Sequence, residues 1–175
     1  FALALKKFGE AGYLQIGMDH FAKAGDEMGK AATDRSLYRN FMGYTVNRHR
    51  DMIGLGASSI GFMAGAFCQN VKTSNEYAEA IDRGDFPIEK GYVLSEDDAI
   101  RQHVITELMC NFRVRFKNIE HKFEIDFKDY FKTELAALAA QREDDHPFTD
   151  ETSDELQVTP IGKIFVRNVC MNFDT

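Results

Sequence analysis

Tryptophan is absent from this 175-residue chain, and cysteine and proline occur only three times each. The cysteines Cys68, Cys110 and Cys170 lie far apart and are odd in number, which excludes the disulfide framework of a small secreted protein. No two of them have the close spacing of a zinc or iron–sulfur motif. We therefore expect a cytoplasmic location, buried thiols and no metal site in this chain.

Long runs of one residue class are missing as well. No apolar run approaches the roughly 20 residues that span a bilayer, and no secretory signal is visible. No run of lysine and arginine is present, the net charge is -7, and the pI is about 5.2. Because an acidic chain repels phosphate backbones, the sequence predicts neither a membrane nor a nucleic-acid partner.

The apolar content is that of a folded protein. Fifteen phenylalanines and six tyrosines can bury a core of useful size. The chain starts with Phe1 instead of methionine, and residues 1–8 are rich in helix formers with no capping residue ahead of them. A helix without a start signal favours a chain cut from a longer protein, and the alternatives are a natural start after processing or a flexible tag ahead of Phe1.

The second half of the sequence carries the clearer helical patterns. Ser95 is a good N-cap, and apolar side chains follow it at helical spacing, namely Ile100, Val104, Leu108, Met109 and Phe112. The sequence then predicts a helix over residues 127–140, a hairpin over 148–158 and a last helix from Pro160. This order of elements resembles a small winged-helix-like module.

The first half predicts shorter elements. Strands are predicted over residues 13–16 and 52–60, and a brief helical turn over 21–23. Ser74 is predicted to cap a short helix with Tyr77, Ala80 and Ile81 facing inward. Pro87 and Gly91 mark a connecting stretch. The predicted fold class is therefore mixed α/β (α+β), with one domain over residues 1–91 and another over 92–175.

Asp19 and His20 form the first polar pair of interest. A carboxylate beside a histidine can orient a proton shuttle or a ligand. Adjacent residues on a strand or helix point apart, however, so the spacing alone does not place them in one site. No catalytic role is assigned to either residue.

Three arginines flank an aromatic segment. Arg35, Arg39 and Arg48 surround the side chains of Tyr38, Phe41 and Tyr44. Because a guanidinium holds a carboxylate through two parallel hydrogen bonds, an acidic ligand is conceivable here. The alternative is that these are ordinary surface arginines.

Other patterns favour structural interpretations. Gly54 and Gly56 lack the third glycine and the following helix of a phosphate-binding loop, so tight packing is the better explanation. Asp97 and Asp98 fit helix capping, and Asp144 and Asp145 fit a solvated break. Neither acidic pair has the other ligands that a calcium loop requires.

Five blocks together resemble one family, the bacterial oxygen-independent coproporphyrinogen III dehydrogenases. They are residues 12–22 (GYLQIGMDHFA), 39–45 (RNFMGYT), 51–60 (DMIGLGASSI), 108–112 (LMCNF) and the closing stretch 159–174. The first three are similar to the family segments GYxxIGMDHFA, RNFQGYT and DLIGxGxSAI. The order agrees, and the resemblance covers essentially the whole chain.

The resemblance implies a radical S-adenosylmethionine enzyme whose distal barrel part is residues 1–91 and whose helical winged-helix-like domain is 92–175. In the full-length parent, a 4Fe–4S cluster cleaves S-adenosylmethionine, and the resulting radical takes hydrogen from a propionate of coproporphyrinogen III. Two propionates become vinyl groups, which gives protoporphyrinogen IX for haem synthesis. Neither cofactor is expected to bind this chain alone, since the cluster motif is missing, and we expect the chain alone to be inactive.

The resemblance also implies contacts to S-adenosylmethionine. The family residues near this cofactor match Phe41, Met42 and Ile60. Met42 stands where the family usually has glutamine, so it keeps the bulk of the side chain but loses the amide hydrogen bonds.

Other functions stay open at this point. One is a related haem chaperone or haem-degrading protein, although such relatives usually lack the GMDHF segment at residues 17–21. Another is a winged-helix DNA reader formed by residues 92–174. We also expect a partial barrel to self-associate through exposed strand edges.

Overall fold

The structure is a computed structural model that describes residues 1–47, 51–141 and 146–174. It divides into two compact units, the first made of Phe1–Asn47 with Ile100–Thr175 and the second of Arg48–Ala99. The boundary predicted near residue 91 separates two domains of the full-length parent enzyme, and it stays a prediction. Arg48 and the Asp144–Asp145 pair lie outside the described residues.

Two antiparallel hairpins organise the beginning of the first unit. Its elements are α1 (Ala2–Glu10), β1 (Tyr13–Gln15), β2 (Phe21–Lys23), α2 (Glu27–Asp34), β3 (Tyr38–Asn40) and β4 (Gly43–Thr45). Strand β1 pairs with β2, and β3 pairs with β4. The helical turn predicted over residues 21–23 was wrong, because these residues complete a ladder with β1 that local patterns do not reveal.

The second unit is built on a three-stranded antiparallel sheet. It contains β5 (Ile60–Met63), β6 (Ala66–Asn70), α3 (Ser74–Asp82) and β7 (Ile88–Val93), with β6 in the centre. The strand predicted over residues 52–60 was wrong, since Met52 makes only an isolated bridge to Phe62, residues 53–59 are loop, and β5 begins at Ile60. Thr73, not Ser74, is the N-cap of α3. Of the residues predicted to face inward there, Ala80 is buried and Ile81 is exposed.

The long helix α4 (Glu96–Asn111) begins with a reciprocal cap. The Ser95 hydroxyl accepts a hydrogen bond from the Asp98 backbone N–H, and the Asp98 carboxylate accepts one from the Ser95 backbone N–H. This is a capping box, and it confirms the structural interpretation of the acidic residues at this position. All of the apolar positions predicted for this helix except Phe112 are buried.

The rest of the first unit is mainly helical, with one small sheet. Its further elements are β8 (Arg113–Arg115), α5 (Phe116–Phe123), α6 (Phe127–Tyr130), α7 (Lys132–Ala140), β9 (Thr149–Glu151), β10 (Glu155–Val158), α8 (Pro160–Ile164), α9 (Val166–Cys170) and a final 3-10 helix (Met171–Phe173). Strand β10 lies between β8 and β9. The predicted hairpin and the proline-initiated helix are present, while α5 and β8 had no clear sequence signal.

Aromatic rings form the centre of this core. Phe127 stacks on Phe116 with a centroid distance of 4.6 Å and also contacts Phe131, which meets Phe173 edge to face. Arg101 packs over Phe131 and forms an ion pair with Glu134 at 2.8 Å. This packing fixes the closing helices against α4 and α7.

The mixed α/β class is confirmed. The strands of the described residues form four small antiparallel sheets, and none of these sheets closes into a barrel. No helix among these residues combines the length and apolar character needed to cross a membrane.

Candidate functional site

Tyr44 joins two of the recognised blocks in the first unit. Its side chain is buried, and its ring occupies the space that a side chain at Gly17 would need. The glycine that opens the segment GMDH is therefore required by the tyrosine of the segment RNFMGYT. The two blocks are one packing unit, although 26 residues lie between positions 17 and 44.

The hydroxyl of Tyr44 reaches a third block. It donates a hydrogen bond to the backbone carbonyl of Met109, at 3.0 Å, near the end of α4. Burial raises the pKa of Tyr44 to about 12, and burial also raises the pKa of the nearby Cys170 thiol to about 12. Both groups therefore stay protonated and neutral at physiological pH.

Asp19 and His20 do meet, contrary to the expectation that adjacent side chains point apart. The Asp19 carboxylate lies 2.8 Å from Nδ1 of His20. An ionised carboxylate only accepts hydrogen bonds, so Nδ1 carries the hydrogen and Nε2 is left to face another group. The backbone allows this because the chain turns between β1 and β2, where the Ile16 N–H binds the His20 carbonyl.

Electrostatics and packing hold the Asp19–His20 pair in place. The hydrogen bond from His20 is the main cause that keeps the pKa of Asp19 below its ordinary value, and Arg167 of α9 contributes in the same direction. The His20 ring meets the ring of Tyr44 edge to face, with a centroid distance of 5.0 Å. Gly43 faces His20, since a Cβ there would lie 3.7 Å from Nε2.

Arg39 contacts the same tyrosine. It is the cross-strand partner of Tyr44 in the β3–β4 hairpin, and its guanidinium carbon lies 5.7 Å from the ring centroid. Its Nε is buried, and no residue in the described parts of the chain accepts a hydrogen bond from it. This geometry supports the binding role that the sequence suggests for Arg39.

Two of the residues expected to contact S-adenosylmethionine form the tip of the β3–β4 hairpin. Phe41 is 53% exposed and Met42 is 88% exposed. The Met42 backbone N–H is held by the side chain of Asn40 at 2.8 Å, which fixes the turn. Exposed apolar side chains on a fixed turn fit a role in covering the apolar part of a cofactor.

Ile60, the third of these residues, belongs to the second unit. It is half-buried at the start of β5 and follows the glycine-containing segment. The side-chain amide of Asn70 donates to the carbonyls of Gly54 and Gly56 and to the Ser59 hydroxyl, at 3.2, 2.9 and 3.0 Å. These bonds support the packing interpretation of the glycines and fix the approach to Ile60.

The cysteines do not fit an iron–sulfur cluster. Cys110 and Cys170 are buried in the first unit, and Cys68 is half-buried in the second. Across residues 1–47, 51–141 and 146–174, no three His, Cys, Asp or Glu side chains are grouped as metal ligands. The described residues therefore show no grouped ligand set for a cluster.

Sequence reasoning missed two organising residues. Tyr44 was noted only as part of an aromatic segment, and Asn70 was not noted at all. A buried tyrosine beside an unexplained glycine in another block is a signal that could have paired positions 17 and 44. Nothing local distinguishes Asn70 from a surface amide.

Comparison with known proteins points to one group. No family model matches the chain. The chain is 45% identical over 170 residues to an oxygen-independent coproporphyrinogen III oxidase of Synechocystis, covering 95% of this chain and 36% of that protein. Proteins of the same name from Escherichia coli and Thermostichus vulcanus are 39% and 38% identical, over 95% and 97% of this chain.

A solved structure agrees with these similarities. The coproporphyrinogen III oxidase from Escherichia coli, which is a radical SAM enzyme, matches with a TM-score of 0.94 and 37% identity. The match covers 99% of this chain and 40% of that one. The chain thus spans about a third to a half of the length of the curated relatives it matches.

Proposed function

We propose that this chain is the C-terminal part of an oxygen-independent coproporphyrinogen III oxidase. The proposal is supported by its similarity to such enzymes over nearly its whole length. The observation that carries the proposal is the convergence of the recognised blocks on Tyr44. Gly17, His20 and Arg39 all contact its ring, and its hydroxyl binds Met109. A fold preserved without its site would not need these residues together.

The proposed reaction of the whole enzyme is an oxidative decarboxylation. A hydrogen atom leaves a propionate side chain of coproporphyrinogen III, carbon dioxide departs, one electron passes to an acceptor, and a vinyl group remains. Two propionates react in this way to give protoporphyrinogen IX in haem synthesis. S-adenosylmethionine, together with a 4Fe–4S cluster held by another part of the parent, would supply the radical that removes the hydrogen.

The contribution of this chain is binding and shielding. Phe41, Met42 and Ile60 are each proposed to contact S-adenosylmethionine in the parent. Because a carbon radical must be placed against one C–H bond away from water, exposed apolar side chains such as Phe41 and Met42 are suited to cover the reacting groups. No residue of this chain is proposed as catalytic.

The proposed setting follows the family. Residues 1–91 would be the distal part of the catalytic barrel and residues 92–175 the C-terminal domain. The protein would be cytoplasmic and would bind coproporphyrinogen III, with no nucleic-acid or membrane partner. The chain alone is proposed to self-associate through strand edges.

The decisive experiment begins with the coding sequence upstream of Phe1. We expect a CxxxCxxC motif followed by further barrel strands in the same reading frame. The full-length product, purified without oxygen and supplied with S-adenosylmethionine and a reductant, should convert coproporphyrinogen III to protoporphyrinogen IX. A reading frame that lacks the cysteine motif, or a full-length product without this conversion, would contradict the proposal.

A further inference from the structure

We propose that Arg39 and His20 form a carboxylate-binding pair on the ring of Tyr44 and that its ligand is a propionate side chain of the tetrapyrrole. This inference rests on the proposed function for the identity of the ligand. The binding of a carboxylate follows from the geometry of the pair and from the chemistry of its donors.

Arg39 supplies the first half of the argument. A buried N–H donor without an acceptor is unfavourable, because it has lost its hydrogen bonds to water and gained none in return. The Nε of Arg39 is such a donor among the described residues, while the side chain as a whole is only partly buried. The guanidinium fork matches the two oxygens of a carboxylate, so an acidic ligand would satisfy it.

His20 supplies the second half. Its Nδ1 is held by Asp19, so Nε2 is the nitrogen that can meet a ligand. The side chain is 45% exposed, and its neighbour Gly43 has no side chain to cover Nε2. With φ at +127°, residue 43 is in a conformation that favours glycine, so the backbone keeps this side open. In its doubly protonated form the imidazole donates to Asp19 and to a ligand carboxylate together.

Tyr44 gives the pair a common base. The centroid of the Tyr44 ring lies 5.0 Å from the centroid of the His20 ring and 5.7 Å from the guanidinium carbon of Arg39. The hydrogen bond from the Tyr44 hydroxyl to the Met109 carbonyl fixes the ring. Both side chains therefore contact one buried residue whose position is fixed. A prearranged pair binds an anion with a smaller loss of side-chain entropy than two mobile surface residues.

The charge and the neighbours select the ligand class. The chain carries a net charge of -7, whereas this place holds two arginines, Arg39 on the ring of Tyr44 and Arg167 near Asp19. Phe41 and Met42 expose apolar surface on the hairpin that contains Arg39. Carboxylates beside an apolar ring are the chemistry of a tetrapyrrole with propionate side chains.

Binding of a stable porphyrin to the 175-residue chain tests the proposal. The probe is coproporphyrin III, the oxidised form of the tetrapyrrole with all propionates present, and binding is measured by quenching of its fluorescence. Its tetramethyl ester has the same ring without carboxylates. We expect the free acid to bind at least about tenfold more tightly than the ester.

Variants then assign the effect to the pair. Arg39→Gln and His20→Gln should each weaken binding of the free acid by about tenfold and leave the ester unaffected. Arg39→Lys keeps the charge but loses the fork and should recover only part of the affinity. Lys30→Gln removes an exposed positive charge from α2 and should bind like the unaltered chain.

A folding defect would not obscure the result. Asp19→Asn changes an exposed side chain, so it should leave the fold intact while replacing the charged acceptor that orients His20 by a neutral amide oxygen, and we expect it to weaken binding about threefold. Equal binding of acid and ester, no binding of the acid by the unaltered chain, or the same loss with Lys30→Gln would each overturn the proposal.

Two further arms separate this proposal from its alternatives. If the Arg39 variants weaken binding of S-adenosylmethionine and leave coproporphyrin binding unchanged, the carboxylate belongs to the cofactor and the propionate assignment is overturned. Conversion of coproporphyrinogen III by the full-length enzyme tests the proposed function independently. That conversion, together with Arg39 variants that bind coproporphyrin normally, would remove the inference and keep the function.

Discussion

The ring of Tyr44 lies directly against the α-carbon of Gly17, and a Cβ on residue 17 would overlap the ring. Neither residue can be understood from its own segment. The glycine provides the space, and the tyrosine uses it to reach the carbonyl of Met109.

Replacing Gly17 by alanine should therefore destabilise the first unit. We expect Gly17→Ala to lower the free energy of unfolding by about 1–3 kcal/mol, because the ring of Tyr44 must move out of a well-packed position. Urea unfolding followed by circular dichroism measures the change. Gly9→Ala is the control, since nothing lies within 4 Å of a Cβ there, and in helix α1 it should be neutral or stabilising by about 0.5 kcal/mol. Equal effects of the two substitutions would contradict the packing argument.

The ion pair between Arg101 and Glu134 should be far more important than the exposed pairs. Its side chains are only 16% and 9% exposed, and Arg101 also donates to the Phe173 carbonyl. Removing the carboxylate leaves a charge in a poorly hydrated place, so Glu134→Ala should cost about 3 kcal/mol. Glu10→Ala, which breaks the exposed pair with Lys6, should change stability by less than about 0.5 kcal/mol. A small effect at Glu134 would mean that solvent reaches the pair.

Stability should fall at high pH because of Tyr44 and Cys170. Burial raises the pKa of each to about 12, from ordinary values of 10.0 and 9.0. At a pH between the ordinary pKa of each group and about 12, the group has lost its proton in the unfolded chain but keeps it in the folded chain. Rising pH therefore favours unfolding in this range. We expect the unfolding free energy to decline from about pH 9 toward pH 12. Tyr44→Phe should decline less steeply above pH 10, and an unchanged slope in that variant would show that Tyr44 titrates normally.

The purified 175-residue chain should neither take up a cluster nor turn over substrate. Its buried Cys110 and Cys170 and half-buried Cys68 do not provide a ligand set. After incubation with ferrous iron and sulfide without oxygen, we expect no iron–sulfur absorption band. Chromatography of the reaction mixture should show no product from coproporphyrinogen III, and a product peak above the protein-free blank would refute this prediction.

Strand β7 should mediate self-association of the chain. It is at one side of the β5–β6–β7 order, all six of its residues are exposed, and Val93 is 76% exposed. An exposed edge can pair with another copy, and an inserted lysine opposes this. Light scattering should show a mass that rises with concentration, and Val93→Lys should reduce the rise. A constant monomer mass at high concentration would rule out this association.

Local rules predicted the elements that depend on local chemistry. The cap at Ser95, the hairpin before Val158 and the helix from Pro160 follow from neighbouring residues, and all three are present. The strand β2 and the loop before Ile60 depend on partners distant in sequence, and both were predicted incorrectly. Distant pairing decides such segments, since short apolar runs fit several conformations equally well.

The candidate site was predictable in its residues but not in its geometry. Asp19, His20 and Arg39 were each recognisable as chemical groups in the sequence. The contact shared by His20 and Arg39 is Tyr44, which lies 24 residues from His20, while Asp19 contacts His20. Phe41, Met42 and Ile60 come from resemblance alone, and their contacts to S-adenosylmethionine stay predictions.

The amide of Asn70 makes the segment before Ile60 sensitive to the loss of a single nitrogen atom. Its nitrogen holds the carbonyls of Gly54 and Gly56, and its residue is only 7% exposed. Deamidation would replace this N–H donor by a carboxylate oxygen. That oxygen would repel the carbonyl oxygens of Gly54 and Gly56, which the amide now binds. Ageing at this one position would release the segment that leads to Ile60 while leaving every other residue of the chain unchanged.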